Sequence, residues 1–300
     1  MSSCDSKLKR ILTNMKKIKL PWSKADSILR DFSGAVDLRE EYAEMIKPTG
    51  PTTLTLKNDM SNWNANKNNR VRADEKNGIV ISFPKGGFAS KGGVNLKCAP
   101  DGLERARNVE LEYEVFIPNE FDFVKGGKLG VGININNGTG GKSWKKNDAS
   151  YRLMWRGSSG QCVAYLYLAT DQGAYTPGKT NSPLLMNQGK KFMEAISNKA
   201  PSAGLDVFRY TSKKMHLKRG AWNRIRMVAK LNDKDKNNGV LELSVNGDTM
   251  SVDDMVWTAN TTDNMFSQLQ LANWFGGGDA SWGAKKNESI TIRNVKYTFD

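Results

Sequence analysis

Residues 128–135 read KLGVGINI, residues 150–156 read SYRLMWR and residues 161–168 read QCVAYLYL. Successive side chains of a strand point to opposite faces, so the phase of each stretch can be read directly. In the first, Leu129, Val131, Ile133 and Ile135 share a face and leave Lys128, Gly130, Gly132 and Asn134 on the other. In the second, Tyr151, Leu153 and Trp155 oppose Ser150, Arg152 and Met154; in the third, Cys162, Ala164, Leu166 and Leu168 oppose Val163, Tyr165 and Tyr167. Three such strands side by side would gather Lys128, Ser150, Arg152, Tyr165 and Tyr167 on one solvent-facing sheet surface above an apolar layer.

Outward from this stretch the pattern persists. From about Thr52 to the C-terminus the chain consists of short alternating runs broken by Gly, Asn, Asp and Lys, which reads as an all-β jelly-roll sandwich. Further strands are expected at 79–83, 110–117, 222–231, 240–245, 266–271 and 289–299. Asn237, Asn238 and Gly239 tolerate positive φ and predict a hairpin between the runs at 222–231 and 240–245. In the last run the apolar phase slips from Ile290 and Ile292 to Val295, Tyr297 and Phe299, which predicts a bulge near Arg293. Residues 171–205, rich in Gly, Pro, Asn and Lys, read as a long surface excursion of the kind that serves as a lid or binding loop.

Residues 1–47 differ. Leu8, Ile11, Leu12, Met15 and Ile18 recur at helical spacing among lysines and Arg10, predicting a short basic amphipathic helix that stops near Pro21, with a second helix over 23–29. The division expected is thus a basic helical extension over 1–47 and one jelly-roll domain over 48–300, a length ample for a single large core.

The formal charge of +14 points to an anionic partner. No apolar run approaches the ~20 residues that span a bilayer, and the N-terminus has no apolar leader, so synthesis in the cytosol is expected and the sequons at Asn137, Asn260 and Asn287 are expected to be unused. Cys4, Cys98 and Cys162 are odd in number and scattered, and support neither a disulfide framework nor a zinc site. With His216 as its one histidine, the chain is not expected to hold a His-dependent metal centre or a serine triad, and no cofactor is expected. GTGGKS at 138–143 lacks the first glycine of a phosphate-binding loop, because position 136 is Asn; DKDKNNG at 233–239 has Asn238 where a calcium loop needs Gly.

The polar face carries the chemistry. Lys, Ser, Arg and Tyr are also ordinary residents of a solvated sheet face, and pattern alone does not choose. Their types do suit one reaction. Removing the proton alpha to a uronate carboxylate requires that charge to be offset, which Arg152 and Lys128 can do. A phenol such as Tyr165 or Tyr167 can take the proton and return one to the departing glycosidic oxygen, with Ser150 orienting the substrate or a tyrosine. A phenolate base would favour activity at alkaline pH. Asn134 on the same face, Arg224 with Arg226, and Gln268 with Gln270 are candidates to extend the groove. Glu110, Glu112 and Glu114 alternate as a carboxylate pair of a glycosidase would, although a charged solvent face gives the same pattern.

These residues fall in segments that together resemble polysaccharide lyase family 14, the alginate and polyglucuronate lyases of algal viruses, molluscs and some fungi and bacteria. The similar segments are EYEVFIPNEFDFVKGGKLG, SYRLMWR, AYLYL, RGAWNRIRMVAKLN with NNGVLELSVNG, and WFGGGDASWGA, and they run from about residue 79 to the C-terminus. The resemblance implies a jelly roll with a concave substrate-binding sheet, β-elimination on an anionic 1,4-linked polyuronate, and catalytic roles at Lys128, Ser150, Arg152, Tyr165 and Tyr167. One departure is visible: where the family commonly continues GGKL with Pro-Gly-Leu-Tyr-Gly-Gly, this chain has GVGININN, without the proline and the aromatic residue. Resemblance to viral members also fits packaging in a particle, or release by lysis, as the route to a cell wall. The expected partner is therefore an acidic polysaccharide bound by a monomer, with no membrane span and no nucleic acid. The alternative is a jelly-roll lectin or virion surface protein that holds acidic glycans without cutting them; a single-strand nucleic-acid binder ranks last, since charge and strand aromatics alone support it.

Overall fold

The computed structural model describes residues 14, 51–57, 63, 69–74, 76–100, 103, 106–136, 138, 148–168, 206–210, 212, 214–233, 236, 238–255, 257 and 265–300. The expected N-terminal helices, apart from Asn14, the excursion over 171–205 and Asn237 of the expected hairpin lie outside them.

The chain forms a jelly-roll β-sandwich of two antiparallel sheets. In chain order the strands are β1 (Thr52–Thr55), β2 (Val71–Asp74), β3 (Gly78–Phe83), β4 (Val94–Cys98), β5 (Asn108–Ile117), β6 (Gly126–Ile135) and β7 (Ala149–Arg156), then β8 (Gln161–Leu168), β9 (Asp206–Tyr210), β10 (Ala221–Lys230), β11 (Gly239–Val245), β12 (Asp248–Met255), β13 (Phe266–Phe275) and β14 (Glu288–Phe299). The eight-stranded sheet runs β12-β11-β10-β5-β14-β3-β2, with β1 also on β14; the six-stranded sheet runs β4-β13-β6-β7-β8-β9. The register between β14 and β5 slips between Arg293 and Lys296, and Asn294 takes φ 54°, which is the bulge the phase change predicts. β10 and β11 pair as expected from the turn residues.

Both sheets send alternate residues into one core. From the eight-stranded sheet come Val109, Leu111, Tyr113, Val115 and Ile117 of β5 and Ile225, Met227 and Ala229 of β10; from the other come Leu129, Ile133, Leu153, Trp155, Ala164 and Leu166. At one end Phe83, Phe121, Phe123, Trp155 and Phe275 pack edge to face and stacked with centroids 5.2–6.3 Å apart. The Trp155 indole also donates to the Phe123 carbonyl at 2.8 Å, fixing the end of β7. The outer faces differ. β5 and β10 alternate buried with half-buried or exposed positions, whereas β6 is buried at every position and β7 and β8 at all but one end residue. The polar face of the six-stranded sheet is therefore not the open surface that the alternation suggests. Among the described residues no helix is long and apolar enough to cross a membrane.

Candidate active site

The site is assembled by register. Gln268 of β13 faces Asn134 of β6, Asn134 faces Ser150 of β7, and Ser150 faces Tyr167 of β8. One rung along, Arg152 faces Tyr165; at the next, Trp274 faces Lys128 and Lys128 faces Met154. Between these rungs β6 bulges, taking four residues from Leu129 to Ile133 while β7 takes two from Leu153 to Tyr151. Asn273 reaches into the core to hold the bulge, accepting from the Gly130 amide at 2.6 Å and donating to its carbonyl at 3.1 Å. Gly130 has φ +77°, and a Cβ there would fall 2.2–2.4 Å from the Tyr113 phenol, so both backbone and space require glycine. Gly132 makes room on the other side: a Cβ there would lie 3.1 Å from Arg152 Cγ.

Lys128 Nζ lies 4.2 Å from the Tyr165 ring centroid, 5.7 Å from that of Tyr167 and 5.5 Å from that of Trp274, and reaches Met154 Sδ at 3.6 Å. Arg152 Cζ lies 5.5 Å from the Tyr167 ring. The two tyrosine rings are 5.1 Å apart at 73°, and their hydroxyls share a hydrogen bond of 3.2 Å. Lys128 and Arg152 are 6% exposed, the tyrosines 7% and Ser150 1%. Burial pushes the Arg152 guanidinium below its ordinary value, while Tyr167 and then Tyr165 favour its charge; it remains a cation at neutral pH. Taking such charges out of water costs several kcal/mol each, and the aromatic faces return roughly 0.5–2 kcal/mol per contact. The arrangement holds two nearly buried cations beside two hydrogen-bonded phenols.

The carboxamides expected to extend the groove lie on this face. Asn134 is fully buried, Gln270 nearly so, and Gln270 Nε2 donates to Asn95 Oδ1 at 2.6 Å. Among the described residues, both polar atoms of Asn134 and the Oε1 atoms of Gln268 and Gln270 have no hydrogen-bond partner. Arg224 and Arg226 correct the reading made from the sequence. They project from the outer face of the other sheet, where Arg226 pairs with Glu110 at 2.8 Å and with Glu242, and Arg224 pairs with Glu112 at 3.0 Å. Glu114, which holds Arg293 at 2.8 Å, completes that face, so the glutamate run serves ion pairs and makes no glycosidase pair. His216 sits in an isolated bridge to Gln161. Cys98 and Cys162 are buried thiols, with burial pushing the Cys98 thiol up to about 11.

Comparison with known proteins places this geometry. Residues 71–295 match the sequence model of polysaccharide lyase 14. The chain belongs to that family. Exolysin of Paramecium bursaria Chlorella virus 1 is 28% identical over 205 residues, which cover 63% of this chain and 29% of that relative; less than a third of its length is matched. Among solved structures, alginate lyase vAL-1 from a Chlorella virus superposes with a TM-score of 0.60 at 24% identity, covering 82% of this chain and 99% of that one. The marine PL-14 alginate lyase from Aplysia kurodai gives a TM-score of 0.58 at 18% identity, covering 84% and 91%. Both likenesses establish the fold that this polysaccharide lyase 14 member shares with them.

Two residues that adjoin the site escaped the sequence reading. Arg156 shares strand phase with Ser150 and Arg152, so alternation carried to the end of SYRLMWR would have found it. Trp274 lies in β13 beyond the point where the run expected at 266–271 stops; Ala272 and Asn273 hide the continuation because neither announces a strand.

Proposed function

We propose that this polysaccharide lyase 14 member cleaves an anionic 1,4-linked polyuronate by β-elimination. Arg152 and Lys128 offset the charge of the substrate carboxylate as the ring proton alpha to it is removed. The Tyr165–Tyr167 pair takes that proton and returns one to the departing oxygen; the C–O bond at the adjacent carbon breaks and a carbon–carbon double bond forms in the new terminal sugar. The hydrogen bond between the phenols suits this exchange, since whichever oxygen is ionised to accept the ring proton has a neighbouring hydroxyl already placed to stabilise its phenolate charge before the transfer. Ser150, directly across from Tyr167, orients that tyrosine or the substrate. The observation that carries the reading is the convergence of two buried cations on two hydrogen-bonded phenols within one sheet face. Alginate lyase activity in the names of structural relatives agrees with it.

Incubation with polymannuronate and polyglucuronate, followed by ultraviolet absorbance, tests the proposal. Growth of unsaturated product on either polymer is expected. Saturable binding with no absorbance change on any polyuronate across the pH range would overturn it in favour of a glycan-binding module.

A further inference from the structure

The stretch WFGGGDASWG, residues 274–283, contains three consecutive glycines, and two of them lie against indoles. A Cβ at Gly276 would meet Trp274 at 2.9 Å, and one at Gly277 would meet the Trp282 ring at 2.2 Å. The segment is fixed to the start of β6 by the Gly276 amide, which donates to the Gly126 carbonyl at 3.0 Å. Asp279 caps the turn Ala280–Trp282 by accepting from the Ser281 amide at 2.8 Å and from the Ser281 hydroxyl. Gly126, at φ +146°, is required by the neighbouring strand, because a Cβ there would lie 2.7 Å from the Trp155 carbonyl, and it borders Trp282 at an ordinary contact distance of 3.4 Å. Sequence and backbone thus combine to seat Trp274 beside Lys128 and Trp282 one step further along the same face.

The surroundings of Trp282 are cationic. Arg156 Cζ stands 5.5 Å from its ring centroid and 6.0 Å from that of Tyr165, so one guanidinium bridges the phenol and the indole. Lys125 Nζ stands 5.9 Å from the Trp282 ring and donates to Ser281 Oγ at 2.6 Å. Neither cation lies as close as Arg293 lies to Trp222 on the other sheet, 3.7 Å from the ring centroid, and Trp282 is only partly buried. A pyranose ring has an apolar face of C–H groups that such an indole can cover, and a uronate adds a carboxylate for the flanking cations.

We infer that Trp282, with Arg156 and Lys125, forms a further sugar-binding subsite of this cleft, holding a uronate residue away from the bond that is cut. The inference rests on the polyuronate reading above. Such a subsite binds substrate and transition state alike, so its loss falls on KM rather than on kcat.

The test uses the full chain, the polyuronate that it cleaves and oligomers of that polymer of increasing length. Trp282→Ala is expected to raise KM on the polymer about tenfold, equivalent to ~1.4 kcal/mol, while Trp282→Phe raises it less. Lys125→Ala, an exposed change that keeps the fold, is expected to raise KM about threefold, equivalent to ~0.65 kcal/mol. The deficit should vanish on oligomers too short to reach Trp282. A KM within twofold of wild type for both alanine variants would overturn the inference, as would a deficit equal at every chain length. Should Trp282→Ala melt early, Lys125→Ala decides by the same criteria. If the wild-type protein cleaves no polyuronate, the proposed reaction fails, and calorimetric binding of polymannuronate and polyglucuronate then decides separately: weaker binding by the alanine variants upholds the subsite, and equal binding overturns it.

Discussion

On the eight-stranded sheet Arg226 of β10 holds two carboxylates, Glu110 and Glu242; on the six-stranded sheet Arg152 of β7 lies against the ring of Tyr167. Both arginines sit on outward faces of strands whose other side feeds the same core. The side chains of the ion pairs around Arg226 are 25–39% exposed, and pairs of this kind contribute about 0–1 kcal/mol each. Arg152 and Lys128 are nearly buried, and burial acts against the charge of Arg152. The first face spends charge on solubility and register; the second keeps charge in a poorly solvated place, which stability alone does not favour. The contrast is thus one of burial: Arg226 and its carboxylates stay partly exposed, while Arg152 and Lys128 lie nearly buried against phenol and indole rings.

The sharpest way to break that contrast is to remove one phenolic oxygen. Tyr165→Phe and Tyr167→Phe each keep the ring that Lys128 lies over and lose the hydroxyl pair. Each is expected to lower kcat/KM by about 10²–10⁴-fold, the range for loss of a positioned acid or base. Thermal melting should shift by no more than a few degrees, because each substitution keeps the buried ring and its packing against Met154 and Val163. A variant of either tyrosine that retains more than a tenth of the activity would dissolve the distinction.

A smaller effect is expected where the scaffold touches the site. A Cβ at Gly132 would press on Arg152 Cγ at 3.1 Å and on the Tyr151 carbonyl at 2.7 Å. Gly132→Ala should therefore cost ~1–3 kcal/mol of stability through overpacking and lower kcat/KM about tenfold, ~1.4 kcal/mol, by shifting the guanidinium. Denaturant unfolding and initial rates measured together check it. An activity loss with no change in stability, or the reverse, would show that Arg152 is not seated by this glycine.

Alternation made much of this molecule legible. The strands with strong apolar phase, β3, β5 to β8, β10, β11, β13 and β14, follow directly from it, as does the bulge after Arg293. The strands that it missed are short, polar or edge strands: β1 (TTLT) and β2 (VRAD) bury none of their residues, β12 (DTMSVDDM) carries three aspartates, and β4 (VNLKC) and β9 (DVFRY) are the five-residue edges of the six-stranded sheet. A period of two separates faces but says nothing about which faces meet. Lys128 and Arg224 both read as outward residues, and only register and sheet order put one with the phenols and the other with Glu112. Nor does period reveal cover, which is why the face carrying Ser150 reads as solvated and is buried. The seat of Trp282 is written in Gly277, whose meaning depends on a ring five residues away.

The smallest effect concerns the ion-paired face, where pH and salt separate architecture from site. The Arg226 hydrogen bond, with burial opposing it, holds the Glu110 carboxyl below its ordinary value of 4.5. A carboxyl whose folded value lies below its unfolded one stabilises the fold above the unfolded value, and loses that contribution as pH falls through the folded value. Arg226→Ala removes the partner and leaves Glu110 and Glu242 as neighbouring negative charges across β10. At pH 7 the variant should be less stable by ~1 kcal/mol, a figure kept small because these side chains are partly exposed and screened. The gap should close as pH falls below 4.5 and through the lowered value of the Glu110 carboxyl, and it should narrow in high salt at neutral pH. Cleavage of polymer at pH 7 should stay within twofold of wild type, since the guanidinium lies on the sheet opposite the cleft. Urea unfolding across pH with parallel rate measurements tests both halves. A rise in KM for polymer would mean that the substrate reaches around to the eight-stranded sheet, and the division of labour between the two faces would have to be redrawn.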